Sequence, residues 1–160
     1  MKRDLNAYAL LVPVAGLIVL VDQWTKTVVA NNLGFNESWM PVAWLKPFVR
    51  VVHWKNTGAA FGIGQNLNWF FILLSVVIIL AIFYYFPLIP ASDMYFRTAL
   101  SMQLGGAIGN LVDRVVQGYV TDFISVGRFP VFNVADSSIT LGVGVLLIGM
   151  WLEERRNADE

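Results

Sequence analysis

The sequence predicts an integral membrane protein, mainly α: a four-transmembrane-helix bundle with a small extracytoplasmic β-containing subdomain between helices 1 and 2. Three observations lead there. The chain of 160 residues is 57% hydrophobic and only 14% charged, and its mean hydropathy is +0.62, far from the balance of a soluble domain. It carries four apolar runs, each near the roughly 20 residues that a helical span needs. Between the first two runs lies a stretch rich in β-branched and aromatic residues. Aspartates end the runs: the uncharged stretch after Asp4 stops at Asp22, the one after Arg97 stops at Asp113, and the one before Glu153 begins at Asp136. The expected spans are about 8–28, 67–88, 95–115 and 134–152, with an extracytoplasmic connection at about 31–66, all within a single membrane-embedded domain, 1–160.

The first span follows Lys2 and Arg3 and resembles a secretory signal peptide. Asp22 and Lys26 would fall in the supposed cleavage region, so a retained span is expected. The connection opens on turn formers (Asn31, Asn32, Gly34, Asn36) and continues as Phe48-Val49-Arg50-Val51-Val52-His53-Trp54, the composition of a strand. Trp39, Trp44, Trp54 and Trp69 suit the headgroup level, where indole is favoured. A small, turn-prone segment around Gly58 leads into the second span, and Pro87 and Pro90 mark the short link to the third.

On the third span Gln103, Ala107, Asn110, Arg114 and Gln117 recur every three or four residues and share one face of a helix. Gly105, Gly106 and Gly109 allow a second helix to approach closely, so a packing face with polar glue is one reading of this stripe. Arg114 supports another, in which a guanidinium near the membrane edge orients a carboxylate. In the fourth span Asn133 suits an N-cap, and Asp136 then falls in the first turn, where the helix dipole favours a carboxylate. Asp22 and Lys26 are four apart in the better order for an ion pair; a site role is the alternative. His53 reads as an ordinary strand histidine, and Glu153 to Arg156 as a solvated helix end.

Threading four spans in alternation places Asp22, Asp113, Asp122 and Asp136 at one membrane face. Carboxylates at a membrane edge need a partner or a task. Asp122, in Tyr119-Val120-Thr121-Asp122-Phe123-Ile124, has apolar neighbours, which raise a carboxylate's pKa by desolvation. Both termini share the opposite face, and the basic pairs near them favour a cytoplasmic position. The equal numbers of basic and acidic residues point away from nucleic acid. The lack of cysteine excludes a thiol nucleophile, a disulfide frame and a cysteine metal site. A single histidine makes a histidine zinc site or a Ser-His-Asp triad hard to build. An aspartic peptidase, a small ion-coupled transporter and a noncatalytic scaffold whose acids only cap helices all remain compatible with this pattern. Transporter sites, however, lie near the bilayer midplane, and a scaffold leaves Asp122 without a purpose.

Five motifs in order resemble bacterial lipoprotein signal peptidases (prolipoprotein signal peptidase, signal peptidase II): Asp22-Gln23-Trp24-Thr25-Lys26, Asn56-Thr57-Gly58-Ala59-Ala60-Phe61-Gly62, Gly109-Asn110-Leu111-Val112-Asp113-Arg114, Val120-Thr121-Asp122-Phe123-Ile124 and Phe132-Asn133-Val134-Ala135-Asp136-Ser137. Thr121 is the one departure, standing where an aliphatic residue is more usual. The resemblance implies a membrane aspartyl endopeptidase of the bacterial cytoplasmic (inner) membrane, working near the extracytoplasmic face. It would remove signal peptides from prolipoproteins, cutting before the diacylglyceryl-cysteine. It implies Asp122 and Asp136 as the catalytic pair and Asp22, Lys26, Asn56, Gly58, Asn110, Asp113, Arg114 and Asn133 as substrate-binding or supporting residues. No metal or other cofactor is implied. The expected partners are diacylglyceryl-modified prolipoproteins, membrane lipids and globomycin-type peptide inhibitors, and the chain is expected to be a monomer.

Overall fold

The computed structural model describes residues 8–58 and 63–158; Lys2, Arg3 and positions 59–62 of the second motif lie outside the described residues. Among the described residues four long helices form: α1 (Leu11–Asn32), α2 (Asn68–Tyr85), α3 (Met94–Val116) and α4 (Val134–Ala158). Three strands accompany them: β1 (Ser38–Trp39), β2 (Val49–Asn56) and β3 (Val120–Val126). A 3-10 turn at Ala43–Leu45 precedes β2, and another at Phe86–Leu88 extends α2. Each of the four stretches expected to span lies largely on one of these helices, α1 ending at Asn32 where 28 was expected and α4 at Ala158 where 152 was expected.

The helices α1 and α4, and the segment 68–88 containing α2, are long and apolar enough to cross a membrane. Their outward faces carry large apolar side chains such as Leu20 (70% exposed), Leu80 (63%) and Leu141 (62%). Water would not tolerate that much contiguous apolar surface; hydrocarbon does. The third long helix, α3, is built differently. It is the central element, packed against the other three, and ten of its 23 residues are buried. Its polar groups therefore face protein, which is why its own composition is the least lipid-like of the four.

Glycine lets the neighbouring helices reach α3. A Cβ on Gly106 would strike the backbone carbonyl of Ala135 and come within 2.6 Å of both Ile139 and Ser138. One on Gly109 would lie 2.7 Å from the Asp22 carboxylate. The expected small-residue packing face is present, and the polar stripe lies beside it. Away from the sheet, Leu11, Ala15, Ile82, Phe86 and Leu104 close the bundle. There the guanidinium of Arg97 sits 4.6 Å over the Phe86 ring and donates to the Ile89 carbonyl at 3.1 Å. Asp93 caps α3 by accepting from the Phe96 N–H at 3.1 Å.

The sheet differs from expectation in one respect. Its order is β1-β2-β3, all antiparallel, so the third strand comes from the α3–α4 connection, not from the connection between helices 1 and 2. Val120, Thr121, Ile124 and Val126 give that segment strand character, and β2 offers it an edge to pair with. Trp54 stands opposite Asp122 and Asn56 opposite Val120, with an irregularity between Val51 and Trp54. His53 is more than an ordinary strand residue: it is buried, its Nδ1 lies 2.8 Å from the Leu33 carbonyl, and it ties the end of α1 to the sheet.

Gly106→Ala is expected to lower the thermal unfolding transition in detergent, at about 1–3 kcal/mol for overpacking a close contact. Gly144→Ala, with nothing within 4 Å of the added methyl, should be neutral or slightly stabilising. Equal behaviour of the two would show that α3 and α4 do not approach through Gly106.

Candidate active site

The side chains singled out from the sequence gather where the sheet meets the adjoining ends of α1, α3 and α4. One ammonium organises the lower layer. Lys26, 4% exposed, lies 2.8 Å from Asp22 and 3.1 Å from Asp113, and it donates to Asn110 Oδ1 at 3.1 Å. Its three N–H groups thus have three acceptors. The helical pair expected from the i, i+4 spacing forms, and each of its members also reaches beyond its own helix.

Asp22 is fully buried. Its Oδ1 accepts from the Ala135 N–H at 2.9 Å. That N–H is one of the four that the start of α4 leaves without an intrahelical acceptor, so a carboxylate from α1 caps α4. Asp113 Oδ2 accepts from the Thr121 N–H at 2.9 Å, fixing the start of β3 to α3. Gln23, which the sequence did not single out beyond its motif, donates to Asp113 Oδ1 at 3.0 Å and to the Gly109 carbonyl at 3.1 Å. Thr121, the departure from the motif, is buried, and its hydroxyl accepts from Gln117 at 3.0 Å.

Above this layer sit the two remaining carboxylates, each held by amides. Lysine can only donate, so Asn110 turns its oxygen toward Lys26 and its Nδ2 toward Asp136 Oδ1, at 2.7 Å. Asn133 and Asp136 cap one another: the Asp136 N–H donates to Asn133 Oδ1 at 2.9 Å and the Asn133 N–H to Asp136 Oδ2 at 3.2 Å. The N-cap reading of Asn133 holds, and the same residue also serves the site. Its Nδ2 donates to Asp122 Oδ1 at 2.7 Å, so Asn133 touches both carboxylates. On the far side of Asp122, Asn56 Nδ2 donates to Oδ2 at 2.9 Å. The Gly58 N–H in turn donates to Asn56 Oδ1 at 2.9 Å.

Asp122 is fully buried. Burial, with a further push from Asp136, raises its pKa to about 7 against the opposing hydrogen bonds from Asn56 and Asn133. A carboxyl group is thereby poised to hold a proton near neutrality, beside a second carboxylate on the first turn of a helix. Such an arrangement can supply an acid and a base to one bond.

Arg114 departs from expectation. Its Nη2 donates to the Gly58 carbonyl at 3.3 Å, and its guanidinium stacks 5.1 Å over the Phe71 ring. No hydrogen bond or ion pair to a carboxylate is found for it among the described residues; its field reaches Asp136, Asp122 and Asp113 without contact. The aromatic face and the Gly58 turn took the planar group that the sequence assigned to an acid. The backbone carbonyl of Arg114 also accepts from Asn68 at 3.1 Å, and neither Phe71 nor Asn68 was flagged by any motif.

Comparison with known proteins gives this arrangement its class. A family model described as signal peptidase (SPase) II matches residues 14–152. The chain is 39% identical to the lipoprotein signal peptidase of Halalkalibacterium halodurans, over 92% of this chain and 95% of that one. It is 38% identical to that of Bacillus subtilis, over 92% and 96%. A solved bacterial membrane enzyme superposes with a TM-score of 0.83 at 33% identity, covering 91% of this chain and 89% of the other. The protein is therefore a membrane peptidase of the aspartic type. It belongs to the signal peptidase II family.

Lys26→Met is expected to reduce stability by about 3–5 kcal/mol, because it strands two buried carboxylates without a counter-charge. Thermal unfolding in detergent measures it, and a loss below about 1 kcal/mol would contradict the central role of the ammonium.

Proposed function

We propose that the chain removes signal peptides from lipid-modified bacterial prolipoproteins, hydrolysing the bond before the diacylglyceryl-cysteine with Asp122 and Asp136 as the catalytic pair. The observation that carries this reading is the bridging Asn133, which binds Asp122 through its side chain and Asp136 through its backbone. It fixes the two groups relative to each other without neutralising either. Asp136, on the first turn of α4, acts as the ionised partner and takes a proton from water. Asp122, which holds its proton up to about pH 7, donates to the scissile carbonyl oxygen as the tetrahedral centre forms. Transfer of a proton to the amine nitrogen then expels the new N-terminus. The protons belong to the pair as a unit.

Asp22, Lys26, Asn110, Asp113 and Asn133 are positioning groups in this scheme, and Asn56, Gly58 and Arg114 hold the β2 side of the site. All four helices span the membrane in a single domain, 1–160, in a bacterial inner membrane. Both termini are cytoplasmic and the pair lies near the extracytoplasmic face. The apolar signal helix stays in lipid while its unwound end reaches the carboxylates. The protein works as a monomer, and peptides of the globomycin type compete at the same site.

Asp122→Asn and Asp136→Asn should each lower cleavage of a purified lipid-modified precursor by at least about 10²–10⁴-fold, the contribution expected of acid–base assistance alone. Both proteins should remain folded and membrane-inserted; turnover near the wild-type rate by either would overturn the assignment.

The pH profile gives an independent check. Asp122 must be protonated to act, and it loses its proton as pH rises through about 7, so kcat/KM should fall on the alkaline side of that value. Asn56 donates to the ionised form and lowers this pKa. Asn56→Ala removes that support and should move the alkaline limb to higher pH. An unmoved limb, or one moved to lower pH, would separate Asp122 from the titration.

A further inference from the structure

A groove of about 650 Å³ runs between the end of α1 and the sheet. Trp24, Val28 and Val29 form its helical wall, and Trp39, Val51 and Phe123 its sheet wall. Two polar side chains in the lining have their donors engaged within α1. The Thr25 hydroxyl lies 2.8 Å from the Val21 carbonyl, and Asn32 Nδ2 lies 2.8 Å from that of Val28. The volume suits a drug-sized or lipid-chain guest, and the walls ask for one without hydrogen-bonding needs. Trp24 is 67% exposed on a helix long and apolar enough to cross a membrane, so the groove is continuous with the surface that meets lipid.

The charge around it is one-sided. Apart from the buried Asp122, the two connections that build the sheet hold one acid among the described residues, Glu37, and its carboxylate accepts from the Gly34 N–H at 2.8 Å. The same connections carry Lys46, Arg50, Lys55 and Arg128. Lys46, Arg50 and Arg128 gather at the far end of the sheet, where Val49 stands opposite Val126, Arg50 opposite Ser125, and the Gly127 N–H donates to the Phe48 carbonyl at 2.7 Å. All three are exposed and form no ion pair among the described residues. Phe48, 64% exposed, lies among them. The groove wall at Val51 adjoins Arg50 of this cationic tip, about 3.3 Å along the strand.

We infer that the groove and the tip together bind one anionic phospholipid of the leaflet on the sheet side, an acyl chain lying in the groove and the headgroup phosphate facing Lys46, Arg50 and Arg128. Charge complementarity selects the headgroup, since each basic residue at an anionic surface strengthens attachment about fivefold. The same charge selects a bilayer phospholipid over the lipid of a substrate. The diacylglyceryl group of a substrate carries no phosphate, so it offers Lys46, Arg50 and Arg128 nothing to pair with. The site needs no peptidase activity and is tested without it.

The test uses the full chain in nanodiscs containing phosphatidylglycerol or phosphatidylcholine with a photoreactive group in one acyl chain, the adducts being mapped by mass spectrometry. Phosphatidylglycerol should label residues 24–33 and the neighbourhood of Val51 and Phe123 at least about tenfold more than phosphatidylcholine does. K46Q/R50Q/R128Q should lose that preference, K46R/R50K/R128K should keep it, and Val28→Trp should exclude label from the groove. The wild-type comparison of the two lipids decides the matter even if a variant fails to fold. Equal labelling by both lipids, or adducts spread evenly over the apolar face of α2, would overturn the proposal, leaving general lipid contact only. Displacement by an excess of lipid-modified precursor peptide would instead give the groove to the substrate. Displacement by polyglutamate but not by unlabelled phosphatidylglycerol would give it to an acidic protein.

Discussion

The structure depends on the ammonium of Lys26. It is buried where three elements converge, and a buried cation is tolerable only when every N–H is met. Asp22, Asp113 and Asn110 meet them. Each of those acceptors passes the constraint on to an element other than its own. Asp22 reaches the start of α4 through the Ala135 N–H, and Asp113 reaches the start of β3 through the Thr121 N–H. Asn110, its amide oriented by the lysine, reaches Asp136. The pair is thus positioned from beneath by a network whose geometry is set by charge.

The pair itself is held by neutral amides, a different device with a different consequence. A cation in direct contact would hold both carboxylates ionised. Amide donors from Asn56, Asn110 and Asn133 fix their orientation with far less charge bias. Burial then decides the protonation of Asp122, lifting it to about 7. Placing the lysine one layer below, and turning Arg114 toward Gly58 and Phe71, keeps strong positive charge from contact with Asp122 and Asp136 while still offsetting the total negative charge.

The sheet completes the site from the other direction. Because β3 bridges α3 and α4 and pairs with β2, the first connection cannot move far without disturbing Asp122. The far end of the sheet is cationic, with Lys46, Arg50 and Arg128 exposed there.

Much of this was legible in the residues. Apolar runs of span length, bounded by Asp22, Asp113 and Asp136, yield the helices because hydrocarbon leaves the backbone no other partner. The spacing of Asp22 and Lys26 yields their ion pair, and Asn133 with Asp136 yields the cap, because those interactions are local and a helix fixes their geometry. Other features required the folded chain. That β3 joins β2 depends on which edge is within reach, and Asp113, Gln23 and Thr121 meet only once α1, α3 and β3 are packed. Arg114 shows the limit most clearly: its charge and its place on the stripe are written in the sequence. A guanidinium's choice among carboxylate, carbonyl and aromatic ring, however, is settled by which of them lies within about 3–5 Å, a distance that only tertiary packing determines.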